Sequence, residues 1–132
     1  MEENNQNSTL HKQTIKELLN CLDSTFSPDD FRPDIIGLTS QPSFMYAIEI
    51  QTTGGGFDKL RAYRKQTAVK YLILVDLKRR RIRVFSFVAK DRLFPDYILE
   101  IVRKIQSKLS GRKGYTIIWC PLPNNSSPSL TP

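Results

Sequence analysis

Residues 32–75 read RPDIIGLTSQPSFMYAIEIQTTGGGFDKLRAYRKQTAVKYLILV, and this stretch organises the rest of the chain. Residues 34–38 and 44–51 are two short runs rich in apolar, β-branched and aromatic side chains, a composition that indicates two β-strands. Residues 39–43, which lie between them, include Thr, Ser and Pro and are typical of a turn. The first half of the stretch therefore predicts a β-hairpin.

Two carboxylates lie opposite each other in this predicted hairpin. If the turn is symmetric about Gln41 and Pro42, the numbers of paired residues add up to 83, and Asp34 lies across from Glu49. Cross-strand partners share a face with their Cβ atoms about 5 Å apart, so the two charges repel. A divalent cation between them would remove this repulsion, because hard cations prefer carboxylate oxygens. The alternative is an edge position at which both carboxylates face water.

The second half of the stretch predicts a glycine-rich bridge, a basic helix and a buried strand. The glycines at 54–56 either turn the chain or let the backbone approach a substrate closely. Residues 57–69 have apolar side chains at helical spacing. Lys59 in the first turn of that helix opposes the helix dipole, which favours an anion beside it. Residues 71–75 are apolar on both faces, as is typical of a central strand.

Composition limits the classes of protein to which the chain can belong. With 132 residues we expect one domain, at residues 8–120, between a disordered segment 1–7 and a flexible tail 121–132. Cys21 and Cys120 are far apart and outside any CxxC pattern, which argues against a disulfide framework and a zinc site. We expect neither a membrane span nor a signal peptide, and therefore a cytoplasmic protein.

The first helix is expected to run from Ser8 or Thr9 to about Leu22. Its apolar stripe is formed by Leu10, Ile15, Leu18, Leu19 and Leu22. The single histidine, His11, is expected on the exposed side of this helix. One histidine excludes paired-histidine chemistry, and nothing around His11 suggests a Ser-His-Asp triad. Any catalysis would then depend on carboxylates, lysines and a metal ion.

The remaining segments predict a third helix and further strands, so the fold class is α/β. Residues 23–31 form a loop or include a short strand. Residues 82–87 alternate in polarity as a strand does, and a helix follows that begins near Pro95 and ends at Gly111. Residues 115–119 predict the last strand.

Positive charge is concentrated in one part of the chain. The net charge is +7, and residues 59–113 hold 17 of the 20 Lys and Arg residues with only four acidic residues. This clustering is expected of a protein that binds a polyanion. The alternative is a solvated, highly charged surface. The candidate contacts with nucleic acid are Arg61, Arg64, Lys65, Lys78, Arg79, Arg80 and Arg81.

The element order resembles the core of the PD-(D/E)XK nuclease superfamily, with motif residues Pro33-Asp34 and Glu49-Ile50-Gln51. Residues 33–85 resemble more closely a restriction-endonuclease-like family of unknown function that is abundant in cyanobacteria. In that family the acidic strand is followed by a D-x-x-K-x-x-x-Y helix and by a strand that ends in Val-Asp. This chain offers Asp58-Lys59-Leu60-Arg61-Ala62-Tyr63 and then Tyr71 to Val75-Asp76.

The resemblance implies a restriction-endonuclease-like mixed central sheet flanked by helices. It also implies a Mg²⁺ or Mn²⁺ site formed by Asp34, Glu49 and the Ile50 carbonyl. Gln51 stands where the family's catalytic lysine belongs. Some members of the family keep activity with glutamine there, and others move the lysine to the next helix, where Lys59 lies.

The activity implied is divalent-metal-dependent hydrolysis of DNA phosphodiester bonds, with Asp34, Glu49, Gln51 and Lys59 as the catalytic set. The partner expected is DNA, with RNA and a homodimer left open, and no membrane is expected as a partner. The alternative is a degenerate nuclease-fold protein that binds nucleic acid or a protein partner without cleavage.

Overall fold

The computed structural model describes residues 2–28, 34–38, 45–52, 69–87, 94–111 and 114–120. Within these ranges two helices and one six-stranded mixed sheet form an α/β fold. The helices are α1, Glu2–Cys21, and α2, Asp96–Ser110. The strands are β1, Thr25–Phe26; β2, Ile35–Leu38; β3, Met45–Gln51; β4, Val69–Asp76; β5, Arg81–Ser86; and β6, Thr116–Cys120.

The strands lie in the sheet in the order in which they occur in the chain. β3 pairs in parallel with β4, and β5 with β6, whereas the other neighbours are antiparallel. No helix in the described ranges is long and apolar enough to cross a membrane. The predicted glycine bridge, the predicted tail and all of the predicted helix at 57–69 except its last residue lie outside the described residues. That last residue, Val69, begins β4, so the predicted end of the helix is wrong.

β2 and β3 form the predicted hairpin in the predicted register. Pairing runs from Ile35 opposite Ile48 to Leu38 opposite Met45, and the two numbers of each pair add up to 83. A slip of one residue would turn every side chain of a strand to the opposite face, so the burial pattern fixes the register. The register expected from a symmetric turn is therefore confirmed.

Both faces of the central strands are buried, as predicted for residues 71–75. On one face a large apolar cluster joins the sheet to both helices through Leu18 of α1 and Ile98 of α2. On the other face a smaller cluster contains Ala47, Leu72 and Phe85. This second face is apolar at one end of the sheet only, because its other end carries the polar residues of the candidate site.

The buried side of α1 differs from the predicted one. α1 begins at Glu2, earlier than the expected start at Ser8 or Thr9. Leu18 is fully buried, whereas Leu10, which we placed in the apolar stripe, is 46% exposed. At 100° per residue, His11 points within about 20° of Leu18, but Leu10 points about 80° away from it. His11 therefore lies on the inward side of the helix, and the expectation that it is an exposed residue is wrong.

Close packing at the hairpin depends on one glycine. A Cβ atom built on Gly37 would lie 2.0 Å from Cζ of Tyr46, whose ring is buried across the hairpin. Burial, with smaller contributions from Asp23 and Cys21, raises the pKa of Tyr46 to about 12. The phenol is therefore neutral at physiological pH, and the hairpin accommodates it only because residue 37 has no side chain.

Candidate functional site

Asp34 lies at the end of the hairpin, immediately before β2. Its Oδ2 accepts a hydrogen bond of 2.8 Å from the backbone N–H of Ile50. The same oxygen lies 3.0 Å from Nε2 of His11. The register of the hairpin, continued by one residue, puts Asp34 opposite Glu49. The carboxylate thus extends the β2–β3 ladder by one bond and joins the Glu-Ile-Gln segment to α1.

Glu49 and Gln51 share one face of β3, as the alternation of side chains predicted. Glu49 is fully buried and Gln51 is 7% exposed. The Asp34 side chain is 12% exposed. Of the two arrangements left open by the sequence, the one in which both carboxylates face water is therefore wrong.

A row of polar residues crosses the sheet at this edge. Gln51 lies opposite Asp76 at the end of β4, and Asp76 lies opposite Arg81 at the start of β5. The neighbouring row runs from Glu49 through Leu74 to Arg83. Strand alternation directs both rows to the face that carries the smaller apolar cluster. Carboxylates and guanidinium groups are thus interleaved along one end of this face.

Asp76 holds the basic turn that connects β4 and β5. Its carboxylate is completely buried, and Oδ1 accepts hydrogen bonds from the backbone N–H groups of Lys78 at 3.1 Å and Arg79 at 3.0 Å. Oδ2 accepts a bond of 3.3 Å from Nη1 of Arg79 and lies 4.0 Å from Nη2 of Arg81. A single aspartate therefore determines both the shape of this turn and the direction of two arginine side chains.

The basic turn and the candidate carboxylates occupy the same edge of the sheet. β3 and β4 end there, and β2 and β5 begin there, as their pairing requires. Lys78, Arg79 and Arg80 are exposed at this edge. Arg80 has a φ of 53°, and its carbonyl accepts a hydrogen bond from the N–H of Thr116 in β6. Three of the predicted nucleic-acid contacts thus lie at the same edge of the sheet as Asp34, Glu49 and Gln51.

Other predicted site residues lie outside the described residues, so they remain predictions. These are the candidate catalytic Lys59 and the candidate nucleic-acid contacts Arg61, Arg64 and Lys65. Arg81 is described, but it belongs to β5, and part of its charge faces Asp76.

The oxygen donors at this edge suit a hard divalent cation. The predicted ligands are the carboxylates of Asp34 and Glu49 and the carbonyl of Ile50, and Mg²⁺ and Mn²⁺ bind such oxygens. Within the described ranges no group of three or more His, Cys, Asp or Glu side chains is arranged to hold a metal ion. The predicted ligand set contains only two such side chains, those of Asp34 and Glu49. Its third protein ligand is the backbone carbonyl oxygen of Ile50.

Two residues at this edge were not identified as site residues from the sequence. His11 occupies the helical position seven residues before the buried Leu18, a spacing that indicates the same face. Asp76 ends an apolar strand and is followed by four basic residues after Leu77, a pattern that indicates a turn held by a carboxylate.

Comparison with protein-family models, curated proteins and solved structures finds no match to this chain.

Proposed function

We propose that this protein is a divalent-metal-dependent nuclease of the restriction-endonuclease-like fold that hydrolyses DNA phosphodiester bonds. The observation that carries the proposal is the register of the hairpin, which pairs Ile35 with Ile48 and, continued by one residue, puts Asp34 opposite Glu49. The hydrogen bond from the Ile50 N–H to Asp34 adds to it, because it joins the Pro-Asp and Glu-x-Gln motifs in space. This hydrogen bond joins residues that are sixteen positions apart in the chain, which supports a common role for the two motifs.

Asp34, Glu49 and the Ile50 carbonyl would hold Mg²⁺ or Mn²⁺ in this proposal. The bound ion would supply an acidified water and stabilise charge on the phosphate. The protein contributes rigidity, because β3 is paired on both sides and its Glu49 is completely buried. Ligands on paired strands are held more precisely than ligands on loops.

In this proposal Gln51 and Lys59 together replace the catalytic lysine that the resemblance leads us to expect: Gln51 supplies a hydrogen bond and Lys59 a positive charge. Gln51 shares a strand face with Glu49, so its amide can donate a hydrogen bond to a water or phosphate oxygen near that carboxylate. The amide carries no charge. Lys59 would supply the positive charge, as its place in the first turn of the predicted helix suggests.

The exposed basic turn would hold the DNA strand beside the carboxylates. Lys78, Arg79 and Arg80 project at the same edge of the sheet and carry three positive charges in consecutive positions. Contacts of such side chains with phosphates position a nucleic acid without reading its sequence. We therefore expect binding that depends strongly on salt and weakly on sequence.

A second candidate function is nucleic-acid binding without cleavage. The observation that favours it is Gln51 itself, a neutral residue at the position of the expected catalytic lysine. Gln51→Lys tests it directly, because Asp76 lies opposite position 51 and would stabilise the new charge. If Gln51→Lys creates cleavage in a protein that has none, the natural site is degenerate.

Incubation of single-stranded, duplex and branched DNA with Mg²⁺ or Mn²⁺ tests the nuclease proposal. We expect cleavage by the unmodified protein and loss of at least about 10²-fold in rate for Asp34→Asn and Glu49→Gln, since each removes a metal ligand. These changes keep the volume of the side chains, so both variants should fold and still bind DNA. DNA binding without cleavage under every condition would favour the second function, and the absence of both would contradict the two proposals.

A further inference from the structure

We infer that His11 is a positioning residue for Asp34, and that the first helix is in this way part of the metal site. The inference rests on the proposed function, because it assigns a role to the neighbour of a proposed metal ligand. It starts from a single contact between distant parts of the chain, in which Nε2 of His11 lies 3.0 Å from Oδ2 of Asp34.

The position of His11 is set by the packing of α1. Leu18 of the same helix is completely buried against the sheet and α2, and α1 contacts both β3 and α2. His11 lies two turns before Leu18 on nearly the same side, which directs its ring to the edge of the sheet. The side chain is 30% exposed, so the ring is partly enclosed on the side that meets Asp34.

The chemistry of the pair determines which atom carries the proton. An ionised carboxylate only accepts hydrogen bonds, so Nε2 of His11 must be the donor. Oδ2 of Asp34 then receives two bonds, one from His11 and one from the Ile50 N–H. Two donors on one oxygen fix the plane of the carboxylate. Oδ1 makes no hydrogen bond to any residue that the structure describes, which leaves this oxygen to bind a cation.

A hydrogen bond to a ligating carboxylate orients it, and loss of such an outer partner commonly weakens metal binding 10- to 100-fold. His11 would act through Asp34 and not as a ligand, in keeping with the absence of a three-residue cluster in the described ranges. The two roles differ in one respect that can be measured. Glutamine can replace a hydrogen-bond donor, but it does not replace the imidazole nitrogen as a ligand of comparable strength.

Calorimetric titration with Mn²⁺ of four proteins tests the inference: the unmodified chain, His11→Gln, His11→Ala and Lys12→Ala. We expect His11→Ala to weaken Mn²⁺ binding about 10- to 100-fold and His11→Gln to restore most of the affinity. Lys12 is exposed on the same helix, so Lys12→Ala is the matched control and should bind as the unmodified protein does. Thermal unfolding without metal separates this effect from a purely structural one, which would lower stability and leave the affinity of the folded protein unchanged.

The outcomes separate the inference from the proposed function. If the unmodified protein does not bind Mn²⁺, the metal site itself is wrong and the inference fails with it. If the unmodified protein and His11→Ala bind Mn²⁺ equally, only the inference is overturned. Equal losses in His11→Gln and His11→Ala would also overturn it. Should His11→Ala fail to fold, His11→Leu keeps the bulk of the side chain without the donor and is expected to show the same loss of affinity.

Discussion

The hairpin leaves no room for a methyl group at position 37. Lack of space, and not an unusual backbone angle, therefore accounts for the glycine there. A Cβ at Gly37 would lie 2.0–2.4 Å from three atoms of the Tyr46 side chain. That ring is 1% exposed and packs in the main apolar cluster, so it must leave this packing to admit a methyl group at position 37. We therefore expect Gly37→Ala to lower the free energy of unfolding by about 1–3 kcal/mol.

Urea unfolding followed by circular dichroism measures this change. Gly114→Ala is the control, because a Cβ at Gly114 meets no atom within 4 Å. We expect the control to change stability by less than about 0.5 kcal/mol. Equal stabilities of the two variants would show that the Tyr46 ring does not pack against residue 37.

At the scale of single residues, the sequence predicted the register of the two hairpin strands better than it predicted which helix residues contact them. The register of the hairpin, which puts Asp34 opposite Glu49 when it is continued by one residue, was predicted from a symmetric turn. The roles of Leu10 and His11 were missed, although a spacing of seven residues puts His11 on the same face as the buried Leu18. The partner of His11 is decided by the packing of α1 against the sheet and α2, which no local pattern of α1 contains. The hydrogen bond of His11 could therefore be found only in the structure.

The turn between β4 and β5 depends on Asp76 more than on its arginines. Asp76→Ala would remove the acceptor of two backbone N–H groups at a completely buried position. We expect a loss of about 1–3 kcal/mol in the free energy of unfolding. Asp76→Asn keeps an oxygen that can accept these bonds and should cost less.

Thermal or urea unfolding of both Asp76 variants, with Arg79→Ala as a third, checks this ranking. The Arg79 side chain is 49% exposed, so its ion pair with Asp76 is screened by water and should contribute about 1 kcal/mol or less. If Arg79→Ala is as destabilising as Asp76→Ala, the ion pair and not the backbone bonds holds the turn.

At the scale of elements, the sequence predicted where a helix begins or ends when a proline or a glycine stands at that end. Pro95 immediately precedes α2 and Gly111, with a φ of 47°, follows its last residue, as predicted. The start of α1 has no such mark, because the helix includes the acidic and amide residues before Ser8 without a break. Each added residue extends an existing helix at small cost, so a helix can continue beyond a sequence-predicted start.

The whole molecule places the acidic and basic residues of the site at one edge of the sheet. The sequence predicted an α/β fold and a basic half of the chain, but it did not predict that β5 would bring Arg81 and Arg83 into rows with Gln51 and Glu49. Such rows follow from strand order, which depends on contacts between distant segments. The complete burial of Glu49 has the same origin, because it requires neighbours on both sides of β3.

Salt dependence of DNA binding tests whether this edge meets a nucleic acid. Each phosphate contact releases counterions and contributes about 0.9 to the slope of log affinity against log salt. Lys78 and Arg80 are exposed, and Arg80 has a φ of 53°, which glycine adopts more easily than arginine does. We therefore expect the pair of changes Lys78→Ala and Arg80→Gly to lower the slope by nearly 2 if both residues contact phosphates, without loss of stability from the turn.

Lys104→Ala, which removes one positive charge where the Lys78/Arg80 variant removes two, is the control for a position away from this edge. Lys104 lines a cavity of about 320 Å³ with Leu38 and Tyr46, at the opposite end of the hairpin from Asp34. Its removal should leave the slope unchanged if DNA lies along the edge that carries the carboxylates. Equal slopes for the unmodified protein and the Lys78/Arg80 variant would remove the turn from the binding surface. A slope reduced equally by Lys104→Ala would mean that the positive charge acts as a whole and that no particular edge of the sheet is the binding surface.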